Sequence, residues 1–401
     1  MNKIRVLFHL THLRRGGGIE SSLMSWLRIL DRNLFSVGLS IAYPTDDIAT
    51  VFRARIPDDV PIHILGPEPW LSYCRNLKKA GRLGWPGLIY EELLLPQVRK
   101  RVFRNRINSI AAEYDLVIDY DLSLARFASG FGKPLIGVSH FSLTQKLSLQ
   151  SKGRRYRATA KHYRRYDAMV AICDAMRQEA RAFFPSFAQR FTTLYPGFDL
   201  NEARRRADEP ADGIPEHPYI VSVTRLEETQ KDVTTLIKAF ALLVRQHAIA
   251  ESLLIVGEGR DRAALENLSE QLGVRDRVRF AGFTANPLPF MKHARMMVLS
   301  SRLEGLPTVL IEGLLLGQVL VSSDCPTGPK EILDNGAAGL LVPMGDPAAL
   351  AAAMLRGLTD DALRAGLHRA ALGHAESFSV DAFRSRFMQL VRQVREAGPP
   401  A

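Results

Sequence analysis

The chain has 401 residues, 46% of them hydrophobic and 24% charged, a length that favours two domains over one core and a composition that excludes a disordered or low-complexity protein. No apolar run reaches the roughly 18 residues of a membrane-crossing helix, and the opening MNKIRVLFHL, with a short apolar run containing Arg5, does not read as a secretory leader. Its three cysteines, Cys74, Cys173 and Cys325, lie far apart with no ligand spacing, so they are expected to be reduced and the compartment cytoplasmic.

The net charge of +11 is unevenly placed: residues 1–200 hold 30 Lys and Arg against 17 Asp and Glu, whereas residues 201–401 hold 23 against 25. A basic half attracts nucleic acid, anionic lipid or a phosphorylated substrate, and charge alone does not choose among them.

In chain order, residues 4–8, 37–41, 116–118, 134–138, 168–172 and 192–194 are short apolar segments separated by helix-length stretches. That alternation predicts a mostly parallel sheet with helices on both faces, an N-terminal domain over 1–200. At 201–218 Pro, Gly, Asp and Glu accumulate, which predicts a linker. The alternation restarts at 219–223, 252–256, 278–280, 296–299, 319–322 and 340–342, giving a second doubly wound domain over 219–378. In 379–401, Phe383, Phe387, Leu390 and Val394 recur at helical spacing, so a terminal amphipathic helix is expected, with the first domain as a candidate to receive it. Two such α/β units facing across a cleft would bind ligands at the carboxyl ends of their strands.

The densest chemistry lies in SRLEGLPTVLIEG, residues 301–313. Glu304 would sit in a loop, Pro307 would suit the first turn of a helix, and Glu312 would fall in its second turn. Around that helix start, Leu306, Thr308 and Val309 would offer backbone N–H groups without helical partners, a phosphate-binding arrangement that Gly305 and Pro307 complete. Two carboxylates beside phosphate would repel it unless they turn to neutral hydroxyls, and a sugar nucleotide offers both groups. Arg225, at the end of the strand over 219–223, and Lys231, six residues on, would complete a diphosphate site without a metal.

These segments resemble glycosyltransferase family 4, retaining enzymes of the GT-B fold, two Rossmann-like α/β domains. The family's Glu-x7-Glu motif stands here as Glu304 and Glu312, its basic phosphate binders as Arg225 and Lys231. Further matches are IVGEGRDRAALE, RFAGF, SSDCPTGPKEIL and GLLVP, so the likeness runs from about residue 219 to 343. One departure is Thr224-Arg225-Leu226 where the family commonly has Gly-Arg-Leu. The resemblance implies transfer of a sugar from a nucleotide-sugar substrate, expected to be a UDP-sugar, with no metal and no cofactor. Glu304 would then hold hydroxyls of the transferred sugar and Glu312 the ribose, while Arg225, Lys231 and the helix start oppose the charge growing on the leaving diphosphate. The implied acceptor is a glycan or lipid-linked glycan of lipopolysaccharide or exopolysaccharide assembly, at the inner face of the cell membrane.

The first half resembles the family more thinly. In Arg14-Arg15-Gly16-Gly17-Gly18-Ile19-Glu20, Gly17 and Gly18 match the family's glycine loop near the donor phosphates, although a glycine-rich strand-to-helix turn is common and no Walker sequence is present. His140 follows a strand; on its own it reads as a satisfied loop histidine, and the resemblance implies contact with the donor sugar and the reacting centre.

Other readings stay open. Glu304 and Glu312 could be a loop carboxylate and a solvated helix face, and Arg225 and Lys231 surface charges. Asp119-Tyr120-Asp121 has the Asp-x-Asp pattern of a metal-dependent transferase, or is polarity at a strand end. The basic stretches 75–82, 99–106 and 152–165 include a possible amphipathic helix in WLSYCRNLKKAGRLGW that would contact an anionic membrane, or else a solvated face. A nucleic-acid-binding protein would use the same patches, but no RNP or KH motif accompanies them, so no nucleic-acid partner is expected. A sugar-nucleotide epimerase would keep the fold and dispense with the acceptor.

Overall fold

The computed structural model describes residues 3–14, 18–68, 77, 81–126, 132–144 and 153–397. The chain divides into two compact units, one of residues 1–172, 177–197 and 383–401, the other of residues 173–176 and 198–382.

In the first unit, β1 (Ile4–Leu10), β2 (Phe35–Ile41), β3 (Ile62–Ile64), β4 (Leu116–Asp119), β5 (Leu135–Ser139), β6 (Ala168–Ala171) and β7 (Phe191–Thr193) form one sheet in the order β3-β2-β1-β4-β5-β6-β7. Every pairing is parallel. The central strands are apolar on both faces because helices cover both: Val6, Leu7 and Phe8 in succession are fully buried. The longer helices are α1 (Gly18–Ile29), α2 (Leu95–Ala111), α3 (Arg154–Tyr163) and α4 (Asp174–Phe183). Edge strand β3 was not expected from the sequence; its three residues are all half-buried, too few and too mixed to stand out as an apolar run.

In the second unit, β8 (Tyr219–Val223), β9 (Ser252–Val256), β10 (Val278–Gly282), β11 (Met296–Leu299), β12 (Leu320–Ser323) and β13 (Leu340–Val342) order as β10-β9-β8-β11-β12-β13, again all parallel. Its helices are α5 (Leu200–Ala207), α6 (Val233–Gln246), α7 (Arg262–Gln271), α8 (Thr308–Leu315), α9 (Pro347–Thr359) and α10 (Asp361–Ala375). The stretch 201–218, read as linker, begins inside α5. Asp199 caps that helix by accepting the Glu202 N–H at 2.9 Å, and Arg206 donates to Asn286 at 3.2 Å.

Helix α11 (Val380–Ala397) buries Phe383, Phe387, Leu390, Val391 and Val394 in the first unit's core beside Val6, Phe8 and Trp26. The Trp26 ring meets Phe383 edge-on at 4.9 Å, and Arg384 donates to the Ile29 carbonyl at 2.6 Å. Among the described residues, no helix is long and apolar enough to cross a membrane.

Candidate functional site

In a doubly wound sheet, the loops leaving two neighbouring strands part in opposite directions where the strand order reverses, and the gap between them receives ligands. In the second unit that point lies between β8 and β11. Lys231 ends the helical turn Glu228–Lys231 after β8, and Glu304 lies in the loop after β11. The structure joins them: the Lys231 ammonium donates to Glu304 Oε1 at 2.6 Å, with both side chains nearly buried at 13% and 7% exposure. The Ser301 hydroxyl donates to the same oxygen at 2.6 Å. Both bonds fall on Oε1.

The backbone around this pair is fixed from several sides. Asp232 adopts left-handed φ of +47° where the turn ends and α6 begins, a conformation that costs about 1 kcal/mol. Its buried carboxylate meets Arg302 at 2.9 Å and the Thr235 hydroxyl at 2.8 Å, which hold it there. The Gln230 carbonyl accepts the Arg302 and Leu303 N–H groups, tying the two loops together. Behind them, the Thr327 hydroxyl donates to the Glu304 carbonyl. Gly328, at φ of +93°, stands so close that a Cβ would lie 2.4 Å from the Pro307 ring.

Helix α8 starts at Thr308, so Pro307 is its cap position and not part of its first turn as the sequence suggested. No side chain caps this end, and no acidic residue stands in its first turn. Gly305, Leu306, Thr308 and Val309 therefore surround a helix start of positive character. Glu312 lies one turn further. It is only partly exposed, and burial pushes its carboxyl up to about 7, with Arg206 opposing the shift.

Arg225 is well exposed, donating to Gln230 Oε1 at 2.9 Å and standing 3.7 Å from Glu227. Its loop is seated by backbone. A Cβ on Gly257 would lie 1.9 Å from the Thr224 carbonyl oxygen, and one on Gly259 would lie 2.1 Å from that of Leu226. Leu226 donates its N–H to the Glu258 carbonyl and accepts from the Asp261 N–H. The close approach associated with a glycine at position 224 is thus supplied from the opposite side, by glycines 257 and 259. Cys325, near Glu304, is buried and its thiol pushed up to about 12 by that burial first and by Glu304 second, so it stays protonated.

In the first unit the order reverses between β1 and β4. Gly18 opens α1 after β1; Gly17 lies outside the described residues. Asp119 and Asp121 serve the protein's own polar groups. Fully buried Asp119 accepts the Ser123, Leu124 and Ala125 N–H groups and, at 2.7 Å, the Tyr166 hydroxyl. Burial and the neighbouring Asp121 raise its carboxyl to about 7 against those bonds. Asp121 takes the Thr11 N–H at 2.9 Å; burial acts to raise its carboxyl, but His9 and its hydrogen bonds hold it below the usual range. Among the described residues no group of side chains could hold a metal ion.

His140, one strand over, is buried and bonded through Nε2 to the Tyr120 carbonyl at 2.8 Å, with the Tyr120 ring 4.7 Å from its own. A carbonyl can only accept, so Nε2 carries a proton. The Tyr120 hydroxyl bonds Ser22 of α1 at 2.7 Å. Tyr120 thus joins the glycine-loop helix to His140, and Glu179 anchors the loop beyond by accepting the Leu143 and Thr144 N–H groups at 2.7 and 3.0 Å. The sequence reading missed the part both residues play: Tyr120 drew notice only as the middle of the Asp-x-Asp pattern, and Glu179 belongs to no recognisable motif.

Much of the second unit resembles known proteins. Residues 204–373 match the family described as "Glycosyl transferases group 1". The chain is 34% identical over 191 residues to the lipopolysaccharide core biosynthesis glycosyltransferase LpsE of Rhizobium meliloti, covering 47% of this chain and 52% of that protein. It is 30% identical over 229 residues to a Campylobacter jejuni alpha-1,4-N-acetyl-D-galactosaminyltransferase named for a PP-undecaprenol-linked substrate, covering 56% and 62%. The chain spans about half the length of the curated relatives it matches. The crystal structure of Anabaena Alr3699/HepE in complex with UDP superposes with a TM-score of 0.71 at 19% identity, over 98% of this chain and 100% of that one. The fold is thus that of the GT-B structures, and residues 204–373 are similar to the glycosyl transferases of group 1.

Proposed function

We propose that the protein is a retaining glycosyltransferase that moves a sugar from a nucleotide-sugar donor, a UDP-sugar, to a glycan or lipid-linked glycan of a cell-surface polysaccharide, working at the inner face of the membrane. The observation that carries this reading is the buried Lys231–Glu304 pair between the loops after β8 and β11, beside the uncapped start of α8. The group 1 match is compatible with family 4, and the UDP in HepE and the undecaprenol-linked name of the Campylobacter relative support the donor and acceptor classes.

On this reading the donor diphosphate lies against the N–H groups of Gly305, Leu306, Thr308 and Val309, with Arg225 and Lys231 beside it. Glu304, neutralised by Lys231 through one oxygen, accepts a sugar hydroxyl with the other; Glu312 accepts from the ribose. The bond from the sugar's anomeric carbon to the phosphate oxygen breaks while the acceptor oxygen bonds the same face of that carbon. The acceptor proton passes to the departing diphosphate, whose growing negative charge Arg225, Lys231 and the helix start stabilise. His140, held with its Nε2 proton on a carbonyl, orients the sugar. No metal or cofactor has a part in these steps.

Thermal unfolding in a panel of nucleotide sugars tests the donor class. A true donor at about one hundred times its Kd adds about 2.7 kcal/mol of stability. Glu304→Gln should lower transfer by a factor of about 100 or more while the protein stays folded. Undiminished transfer in that variant removes Glu304 from the site, and turnover of the donor without any acceptor replaces transferase by epimerase.

A further inference from the structure

We infer that the helical segment from residue 85 to residue 104 is a docking surface for an anionic lipid bilayer. Six of the eleven large apolar side chains exposed among the described residues fall between positions 85 and 98. Trp85, Ile89 and Leu93 step by four residues, as do Tyr90, Leu94 and Val98, so the six form two adjoining rows along one side of the helical path. Trp85 is 72% exposed and Leu93 66%. A contiguous apolar stripe of this kind on a water-facing surface marks a place where something binds.

The stripe is built on a fixed base. The segment runs through the helix Trp85–Ile89, a wide π turn Tyr90–Leu94 and then α2. Its other side steps through Glu91, Leu95, Arg99, Phe103 and Ile107, all buried. Across the junction of the π turn with α2, Arg99 clasps Glu91 through both carboxylate oxygens at 2.6 and 2.7 Å. A buried two-toothed pair constrains the orientation of the turn, so the apolar side chains are presented by a rigid element.

Charge selects the occupant. Lys100, Arg101 and Arg104 are exposed on α2 with no ion pair among the described residues, and Arg82 is exposed just before the stripe. The one exposed carboxylate between positions 81 and 106 is Glu92. Apolar side chains capped by Trp and Tyr and bordered by cations suit the boundary of a bilayer with anionic headgroups, where apolar burial and charge attraction act together. The segment differs from the WLSYCRNLKKAGRLGW stretch favoured by the sequence, which falls mostly outside the described residues. The inference deepens the membrane contact in the proposed function and rests on that reading for its biological sense, though not for its measurement.

The test is co-sedimentation of the full chain with vesicles, in the absence of any nucleotide sugar. Phosphatidylglycerol-containing vesicles should bind the protein at least about tenfold more tightly than pure phosphatidylcholine. Leu93→Ser with Leu94→Ser, both exposed and so harmless to folding, should weaken that binding at least about tenfold, and Arg101→Glu with Arg104→Glu should do likewise at low salt. Equal binding by wild type and variants, or no binding to either vesicle, overturns the inference. So does a dimer in light scattering that the leucine variant dissociates while vesicle binding is absent, since a second copy is then the occupant. Because donor-dependent stabilisation is measured separately, the surface and the proposed transfer can fail independently.

Discussion

At the reversal point of the second unit, Glu304 accepts from a lysine and a serine on one oxygen. At the matching point of the first unit, Asp119 and Asp121 spend their oxygens on the protein's own N–H and hydroxyl groups, and the polar group presented beside them is a histidine held by a tyrosine carbonyl. Parallel sheets of nearly the same strand order therefore equip equivalent positions differently. One presents an ion pair, the other a histidine ring oriented by a backbone carbonyl. The contrast also explains why the Asp-x-Asp pattern at 119–121 need not denote a metal site: its carboxylates are already bonded.

Three further variants would break or sharpen this contrast. The largest effect is expected in the second unit. Lys231→Met leaves the nearly buried Glu304 carboxylate with Ser301 alone, and stability should fall by about 3 kcal/mol in urea unfolding at pH 8. The double variant Lys231→Met with Glu304→Gln should regain most of that loss; if single and double variants unfold alike, the pair is not coupled.

Glu312 gives an effect of intermediate size with a definite sign. Its folded carboxyl titrates near 7, above its ordinary 4.5, so the folded state resists ionisation. Stability present below pH 4.5 is accordingly lost as pH rises towards 7. Glu312→Gln should be more stable than wild type by about 2 kcal/mol at pH 8 and no different at pH 4, the figure being reduced for partial exposure. A gain that is the same at both pH values would mean that packing, not charge, is responsible.

The smallest change is expected from Tyr120→Phe, which removes only the hydroxyl bond to Ser22. About 1 kcal/mol should be lost. If Tyr120 orients His140, transfer should fall several-fold with KM for the donor little altered; unchanged kcat would make the link between α1 and His140 purely structural.

The central strands were legible in the sequence because each carries a short apolar run buried on both faces, as in β1, β8 and β11, whereas β3 is a three-residue edge strand interrupted by His63. Residues 301–313 could be read because the motif is local in sequence. The Lys231–Glu304 pair could not be read, since the two are 73 positions apart and meet only because β8 and β11 are neighbours. Tyr120 and Glu179 act through a carbonyl, a hydroxyl and captured N–H groups, which leave no spacing pattern. Helix α5 was hidden within a stretch rich in Pro, Gly and acidic residues, where the Asp199 cap and the contacts of Arg206 outweigh composition. The apolar stripe at 85–98 was overlooked because exposure, not hydrophobicity, is what distinguishes it.

The interlocked loops at Thr224–Leu226 and Gly257–Gly259 touch through main chain, and the only side-chain requirement is the lack of one at two glycines. At their rim the exposed Arg225 and Arg260 stand 3.7 and 3.5 Å from the half-buried Glu227. If the proposed donor lies against this rim, such a frame uncouples recognition from architecture: substitutions along the rim retune which donor is preferred while the scaffold below keeps its shape. Descendants of such a chain could thus diverge in specificity without passing through an unfolded ancestor.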